Sequence, residues 1–295
     1  MVSLKKKTIS GRIYYYLSHT YREQGRVKYK ESYVGNAVPE NIEEMRRSFL
    51  LSIYKERWFK QFDRIKETYG KEEQKMPNEA KAEELESFAV IFTYDTNRIE
   101  GSKLSFKDTR ELLELGISPS GKPIRDIKEA EAHRKVFYEM IHMKGDLSLD
   151  VLLEWHRELF EATKPGIAGR LRDYQVYISG SRYVPPPASV LPAGLSEFFR
   201  WYKTEKGKEN SVELAARMHM RFETIHPFGD GNGRLGRLIM NFILRRGGYP
   251  MLNIKYTGRG SYYGALERSN AKDDENIFVQ WFFRKYLKEN KRYLK

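Results

Sequence analysis

A short polar loop interrupts a helical, apolar pattern between Phe222 and Phe242, and no other feature constrains the fold as strongly. From His226 to Gly233 the chain has one histidine, one proline, one aspartate and three glycines. An apolar periodic run then resumes and carries two arginines three positions apart. Because apolar residues at spacings of three and four indicate amphipathic helices, the stretch predicts two core helices around residues 212–246, joined by a sharply bent loop.

The residue types in this loop suit a ligand that carries phosphate groups. Glycines allow backbone conformations closed to other residues, so successive N–H groups can point into one concavity. The helix that is predicted to begin near Gly233 adds unpaired N–H groups and a positive dipole end. Asp230 fits Mg²⁺, which prefers carboxylate and phosphate oxygens. Arg234 and Arg237 can reach forward to phosphates, and His226 is suited to be a general base. The alternative is a plain turn with a core histidine; a Walker loop is excluded because no Gly-Lys-Ser/Thr follows.

Helical patterns dominate the rest of the chain, which predicts a mainly α architecture. Residues 70–84 are charged and contain Gly70 and Pro77, so a loop is expected there. The predicted helices are Ile42–Tyr69, Leu85–Glu100, Ser105–Leu115, Pro123–Met143, Leu149–Phe160, Leu191–Lys206, Val212–Thr224, Gly233–Arg246, Gly260–Ala271 and Ile277–Lys288.

Two segments depart from the helical habit. Residues 171–187 alternate, carry β-branched residues and end in three prolines, so they predict a short protruding hairpin. Residues 11–35 are rich in tyrosine and have Gly25 near the middle, so they predict a two-stranded hairpin or small sheet. The expected organisation is an N-terminal β-hairpin module (1–40), a helical connector (41–84) and a main domain (85–295).

Composition narrows the possible functions. The formal net charge of +13 favours an anionic partner such as nucleic acid, nucleotide phosphates or an acidic protein, although a solvated basic surface is an equal alternative. The chain has no cysteine, so disulfides, thiolate metal sites and cysteine nucleophiles are excluded. It has no long apolar stretch and no secretory signal, so we expect a cytoplasmic protein with no membrane association.

The residues "HPFGDGNGRLGR" resemble the motif H-x-F-x-[D/E]-G-N-G-R-x-x-R of Fic-domain proteins at every fixed position. The resemblance extends over about residues 85–283 and implies the Fic fold, a helical bundle with a short β-hairpin flap. It also implies a protein adenylyltransferase, which transfers AMP from MgATP to a Ser, Thr or Tyr hydroxyl and releases pyrophosphate. The related Doc-like phosphotransferases depart from Gly-Asn-Gly-Arg, so AMP transfer is favoured.

The resemblance also implies roles for individual residues. His226 is expected to deprotonate the target hydroxyl, and Asp230 to bind Mg²⁺, with Mn²⁺ as the alternative ion. Phe228 is expected to anchor the loop in the core. Gly231, Asn232 and Gly233 are expected to form the anion hole, and Arg234 and Arg237 to contact the β- and γ-phosphates. The motif residues predicted to bind the nucleotide are Asp230, Gly231, Asn232, Gly233, Arg234, Leu235, Gly236 and Arg237.

Two further segments resemble parts of the same family. The hairpin "QVYISGSRYVPPP" resembles the flap, against which a target segment can pair as an added strand, and an ordinary surface hairpin is the alternative. The segment "GRGSYYGALERSN" is similar to the part beside the adenosine, although tyrosines at a helix start are often core residues. The nucleotide-bordering residues implied here are Val176, Tyr177, Ile178, Ser179, Tyr262, Tyr263 and Asn270.

The segment "TNRIEG", residues 96–101, resembles the inhibitory motif of autoinhibited Fic proteins. In such proteins the glutamate, here Glu100, pairs with the second motif arginine, here Arg237, and displaces the γ-phosphate. Thr96 lies four residues earlier, on the same helical face, and is expected to orient the glutamate. The position before the core helices resembles the class II type, with an inhibitory helix over about residues 85–101.

Other functions remain open at this point. A de-AMPylating or bifunctional enzyme is one, since the same glutamate aligns a water molecule in some relatives. A nucleotide-responsive regulator that binds nucleic acid through the tyrosine-rich hairpin is another, and an interaction protein with a vestigial loop is a third. The expected partners are ATP and a protein target with a hydroxyl side chain, with self-modification and a homodimer as further expectations.

Overall fold

The computed structural model describes residues 2–23 and 26–295, so the predicted turn at Gly25 lies outside the described residues. The chain divides into two compact units, residues 1–63 and 64–295. The long helix α1 (Ile42–Lys75) begins in the first unit and ends in the second. The domain bounds expected from the sequence stay predictions.

The first unit contains a three-stranded antiparallel sheet in the order β1-β2-β3. The strands are β1 (Ser3–Ile9), β2 (Arg12–Glu23) and β3 (Arg26–Gly35). Sequence patterns predicted the pairing of β2 and β3 and missed β1, whose run of three lysines hides the strand signal. The register shifts by one residue between Tyr15 and Tyr16, which marks a β-bulge.

The second unit is helical, as the patterns predicted. Its helices are α2 (Asn78–Ile99), α3 (Phe106–Leu115), α4 (Ile124–His142), α5 (Leu149–Phe160), α6 (Leu191–Glu205), α7 (Ser211–Ile225), α8 (Asn232–Arg246), α9 (Arg259–Ala271) and α10 (Asn276–Glu289). Helices α7 and α8 are buried over most of their length and form the centre of the unit. Six residues, 226–231, join them.

The loop expected over residues 70–84 is wrong. Helix α1 continues through Gly70 to Lys75, and α2 begins at Asn78. A glycine in a helix costs only about 1 kcal/mol, which a helix of this length tolerates. Pro77 lies at the N-cap of α2, where its missing N–H group is not needed.

The hairpin expected over residues 171–187 is only partly correct. The chain reverses there, with Ser181 N donating to Ile178 O at 3.1 Å, but these residues form no strand. The side chain of Gln175 donates to the carbonyls of Val176 and Pro185, and thereby takes up acceptors that strand pairing would use. The prolines remove donors as well.

Within residues 2–23 and 26–295, every helix is too short or too polar to cross a lipid bilayer.

Candidate active site

The loop between α7 and α8 is held in one shape by contacts at both ends. His226 caps α7 in the left-handed region (φ 49°), and its N–H donates to Phe222 O at 2.9 Å. The Asn232 side chain clips the loop, because it accepts from Phe228 N at 3.0 Å and donates to Phe228 O at 2.9 Å. The buried Phe228 ring stacks on His156 at 4.0 Å between centroids. Phe228 is thus a core anchor, as expected.

His156 is a loop-holding residue that sequence patterns did not reveal. Its Nδ1 accepts from Gly169 N at 3.0 Å, so Nε2 carries the proton and donates to Asp230 O at 3.1 Å. Burial lowers the pKa of His156 to about 4, so it stays neutral in this arrangement. Its position 70 residues before the loop explains why local spacing gave no signal.

Two glycines of the loop have no room for a side chain. Gly231 has a φ of 82°, and a Cβ there would lie 2.4 Å from the Phe160 ring. A Cβ on Gly233 would lie 2.3 Å from Oε1 of Glu100 and 3.0 Å from Nη1 of Arg237. Glycine is therefore required at both positions, and the Glu100 carboxylate lies against the backbone at the start of α8.

His226 meets the first requirement of a general base, which is a neutral imidazole. Its side chain is mostly buried, and this burial lowers the pKa of His226 to about 4. Nδ1 makes no hydrogen bond within the described part of the chain and lies 3.7 Å from Oε2 of Glu223. The imidazole is thus neutral at pH 7 and keeps one nitrogen without a hydrogen bond to the described residues.

Glu223 is a buried carboxyl group beside the loop that the motif does not contain. Burial raises its pKa to about 7, and Glu100 adds to this effect while Arg237 opposes it. Its Oε1 lies 4.0 Å from Nε2 of His219 and makes no hydrogen bond to any described residue. A Cβ on Gly236 would lie only 3.0 Å from this oxygen. The glycine therefore gives the carboxyl group its space.

Arg237 is bound to the end of α2. Its Nη2 lies 2.6 Å from Oε1 of Glu100, and its Nε donates to Thr96 Oγ1 at 2.5 Å. The arginine is 1% exposed, whereas the Glu100 side chain is 25% exposed. Burial alone would lower the pKa of Arg237, but the Glu100 carboxylate outweighs burial and the pKa is raised. The structure thus brings Glu100 and Thr96 together on Arg237, and the orientation of Glu100 by Thr96 stays a prediction.

Arg234 lies in a second cluster of charges on the other side of the helix start. Its guanidinium donates to Glu129 and, at 3.2 Å, to Asp230. Lys164 lies 2.6 Å from Asp230 and 3.1 Å from Glu129. Burial would raise the pKa of Asp230, but Arg234 and Lys164 outweigh it and the pKa is lowered, so the carboxylate stays ionised. Sequence spacing did not predict Lys164 or Glu129, which come from other segments.

The two clusters meet at one small polar pocket. The lining side chains include Glu100 from the end of α2, Lys164, and Asp230 and Arg234 from the loop region. Its walls carry three cations and four carboxylates, so a phosphate that enters competes with these carboxylates for the cations.

Comparison with known proteins agrees with this geometry. Residues 146–244 match the Fic/DOC family. Residues 146–244 are therefore a Fic domain.

Relatives with curated names resemble this Fic domain. Protein adenylyltransferase Fic of Nematostella vectensis is 34% identical over 185 residues, which is 61% of this chain and 43% of that protein. Protein adenylyltransferase fic-1 of Caenorhabditis elegans is 34% identical over 189 residues, which is 62% of this chain and 37% of that protein. The chain spans only about two fifths of the length of these relatives.

Solved structures resemble the fold. Fic-1 of C. elegans (residues 134–508) superposes with a TM-score of 0.74 and 27% identity, over 87% of this chain and 78% of that one. A Fic-domain signalling protein from Bacteroides thetaiotaomicron superposes with a TM-score of 0.69 and 26% identity, over 79% of this chain and 96% of that one.

The loop of the Fic domain fits one Mg²⁺ ion that arrives with phosphates. Asp230 offers an ionised carboxylate at the start of α8. In the described part of the chain, no three His, Asp or Glu side chains are arranged to hold a metal on their own. Because Mg²⁺ is commonly bound through one or two carboxylates plus phosphates and water, a single carboxylate is enough. The residues present therefore fit the ion.

The segment predicted as the flap, residues 171–187, is tied to the loop by Arg172, which sequence patterns also missed. Nε of Arg172 donates to His226 O at 2.8 Å. Its Nη1 donates to the carbonyl of Tyr174, and its Nη2 donates to that of Pro186. Burial lowers the pKa of Arg172. Glu267 of α9 holds the flap turn, because it accepts from Arg182 N at 2.9 Å and from Ser181.

The predicted flap residues 176–179 lead into this turn and are at least partly exposed, and Tyr177 is 77% exposed. Their border with a nucleotide stays a prediction. The same holds for the adenosine-side residues, whose positions differ from one another. Tyr262 is buried, and its hydroxyl lies 2.8 Å from Nε2 of His219. Tyr263 is partly exposed and donates to Ile99 O at 3.4 Å, and Asn270 accepts from Thr224 at 3.0 Å.

Proposed function

We propose that this chain is an autoinhibited protein adenylyltransferase, which transfers AMP from MgATP to a Ser, Thr or Tyr hydroxyl of a protein. The names of the relatives at 34% identity support AMP transfer. The ion pair between Arg237 and Glu100 is the observation that carries the autoinhibition.

The proposed reaction needs a base, a support for negative charge and an open path for the leaving group. The hydroxyl oxygen forms a bond to the α-phosphorus of ATP, the bond from that phosphorus to the bridging oxygen breaks, and pyrophosphate leaves with the bond electrons. The hydroxyl proton goes to the neutral imidazole of His226. The N–H groups of Gly231, Asn232 and Gly233 stabilise negative charge on the phosphates.

Asp230 would hold Mg²⁺, which neutralises phosphate charge when it is bound. The carboxylate now contacts Lys164 and Arg234, so both cations would turn toward phosphate oxygens when ATP enters. Their present partner Glu129 can hold them in place during that exchange. This arrangement positions charge without a large movement of the backbone.

Glu100 restrains the reaction because it occupies the guanidinium that the γ-phosphate needs. Its carboxylate also lies against the backbone of Gly233, where a bound phosphate would be repelled. ATP then binds in an unproductive pose or not at all. Removal of Glu100 frees Arg237 for a bidentate contact with phosphate oxygens.

The test is AMP incorporation from ATP labelled in the α-phosphate. Glu100→Gly is expected to raise labelling of the chain or of lysate proteins at least about tenfold, and His226→Ala in the same background to abolish it. Glu114→Gly is the matched control, since Glu114 is 28% exposed and pairs with Arg110 at 2.7 Å near the end of α3. A silent Glu100→Gly protein that still binds MgATP would disprove the autoinhibition.

The reverse reaction has its own experiment. Glu100 could align a water molecule that removes AMP from a modified target. Incubation of the wild-type chain with a pre-modified target would then release AMP, and Glu100→Gly would abolish that release while it raises forward labelling. Release that is unaffected by the substitution argues against this role.

A further inference from the structure

The N-terminal sheet concentrates the positive charge of the chain. Residues 3–35 contain eight lysines and arginines against two glutamates, so they carry six of the thirteen net charges. This stretch is about a ninth of the chain, and the proposed AMP transfer makes no use of it. Such a concentration is the electrostatic footprint of an anionic ligand.

One face of the sheet is covered by α1 within the first unit. The ring of His19 lies 6.4 Å from that of Tyr54, and Lys30 pairs with Glu56. Leu17 is almost fully buried. Because side chains alternate along a strand, the neighbours of these residues point to the opposite face.

The opposite face carries four tyrosines and two lysines in mutual contact. The Tyr33 ring lies 5.4 Å from Tyr16 and 6.1 Å from Tyr14, between centroids. Nζ of Lys7 lies 4.4 Å from the centroid of the Tyr16 ring. Nζ of Lys5 lies 4.9 Å from the centroid of the Tyr29 ring. The register agrees, since it places Lys5 opposite Tyr16, and Tyr16 opposite Tyr33.

Two of the rings are open to a ligand. Tyr29 is 50% exposed and Tyr33 is 52% exposed, although aromatic rings on a sheet face are normally covered by a packed element. Exposed rings beside flexible cations suit a polymer with a flat unit and a negative charge at each repeat. Unpaired bases stack on aromatic rings, and phosphates bind lysines.

From these contacts we propose that the face formed by Lys5, Lys7, Tyr14, Tyr16, Tyr29 and Tyr33 binds single-stranded RNA. A duplex keeps its bases stacked on one another and cannot use the rings. An acidic peptide could use the lysines but has no need of exposed rings.

Glu31 favours RNA over DNA. It lies on the same face, where Tyr29 donates to its Oε1 at 2.7 Å and Lys7 to its Oε2. A carboxylate only accepts hydrogen bonds, and it repels phosphates. The ribose 2′-hydroxyl can donate to it, whereas deoxyribose cannot.

The test is fluorescence anisotropy of a labelled twelve-nucleotide single-stranded RNA with the full chain at low salt. The double variant Tyr29→Ala, Tyr33→Ala is expected to weaken binding at least about fivefold, because each stacked base contributes about 1–3 kcal/mol. Tyr29→Phe with Tyr33→Phe keeps the rings and should bind within about twofold of wild type. Circular dichroism checks that each variant is folded, which is expected because both side chains are half-exposed.

Charge is tested separately. Lys5→Ala and Lys7→Ala should each lower the slope of log affinity against log salt by about 0.7, the value for one phosphate contact on a single strand. Lys6→Ala is the matched control, because Lys6 is exposed and lies opposite Tyr15 on the other face. It should leave the slope closer to wild type than either of the other variants.

Several results would overturn the proposal. These are no salt-dependent RNA binding at 50 mM salt, equal affinity for duplex RNA or for the same sequence as DNA, and an unchanged affinity in the double alanine variant. A poly-glutamate peptide that displaces the RNA from wild type and binds the double alanine variant equally well would assign the face to an acidic protein instead. None of these outcomes depends on AMP transfer.

Discussion

Nη2 of Arg237 lies 2.6 Å from Oε1 of Glu100, although the two residues are 137 positions apart in the chain. The pair joins the start of α8, which follows the loop over residues 226–231, to the C-cap of α2. The carboxylate lies at the negative end of the α2 dipole, where it is disfavoured by about 0.3–1 kcal/mol. Arg237 offsets this cost, so whatever removes the arginine from Glu100 also loosens the end of α2.

Glu100→Gly is expected to lower the stability of the protein by about 1–3 kcal/mol, because it leaves the buried Arg237 without its charged partner. ATP should then raise the melting temperature of the variant more than that of wild type, since phosphate replaces the lost carboxylate. Thermal melts with and without MgATP measure both effects. Glu114→Gly should show no such extra shift, and an equal ATP shift in wild type and Glu100→Gly would contradict the prediction.

Asp230→Asn is expected to weaken MgATP binding by at least about tenfold in the Glu100→Gly background and to abolish its dependence on Mg²⁺. The amide keeps the shape of the side chain but is a poor ligand for a hard cation. Calorimetry with ATP in Mg²⁺ and in EDTA measures this. Asp146→Asn is the matched control, since Asp146 is 41% exposed and lies 2.5 Å from Lys206, as Asp230 is 39% exposed and lies 2.6 Å from Lys164. If Asp230→Asn still binds ATP in a Mg²⁺-dependent way, Asp230 is not the ligand of the ion.

The buried histidines make the fold sensitive to mild acid. Burial lowers the pKa of His156 and His226 to about 4 and of His219 to about 3, and it lowers the pKa of His133 as well. Each group therefore contributes stability that is present above its unfolded pKa of about 6.5 and is lost as pH falls toward the folded value. Urea unfolding at pH 7, 6 and 5 should show a falling free energy of unfolding. A constant value over this range would contradict the shifts.

Glu223 has the opposite effect on stability from the buried histidines, because its contribution to folding falls as pH rises. Its folded pKa of about 7 lies above the ordinary value of 4.5, so it favours folding below pH 4.5 and this contribution is lost as pH rises through 7. Glu223→Gln removes the buried charge and should stabilise the protein by about 2–3 kcal/mol at pH 8, with little effect at pH 4.5. Urea unfolding at the two pH values measures the difference. A gain of the same size at both would show that ionisation is not the cause.

The apolar spacing of the sequence predicted the two helices that flank the loop of the candidate site. Helices α7 and α8, on either side of residues 226–231, lie within one or two residues of their predicted bounds. Both helices are strongly periodic, and the loop between them is short. The contact of Glu100 with Arg237 depended on a family resemblance, since nothing in spacing connects residues 137 positions apart.

The residues that hold the site from outside the motif could not be found in this way. His156, Lys164 and Arg172 come from separate segments and reach the loop only through tertiary packing. The errors at residues 70–84 and 171–187 have a related cause. Glycine and proline predict loops and turns from local preference alone. In the folded chain, the long helix α1 accommodates Gly70, and the side chain of Gln175 binds a carbonyl that strand pairing would have used.

Arg172 donates to the backbone carbonyls of His226, Tyr174 and Pro186 at 3.0 Å or less, and to that of Ile225 at 3.5 Å. One guanidinium thus fixes the backbone of His226 relative to Tyr174 and Pro186, which lie near the two ends of residues 171–187. In the proposed transfer, a target hydroxyl held along this segment would therefore have little orientational entropy left to lose when it reaches the imidazole.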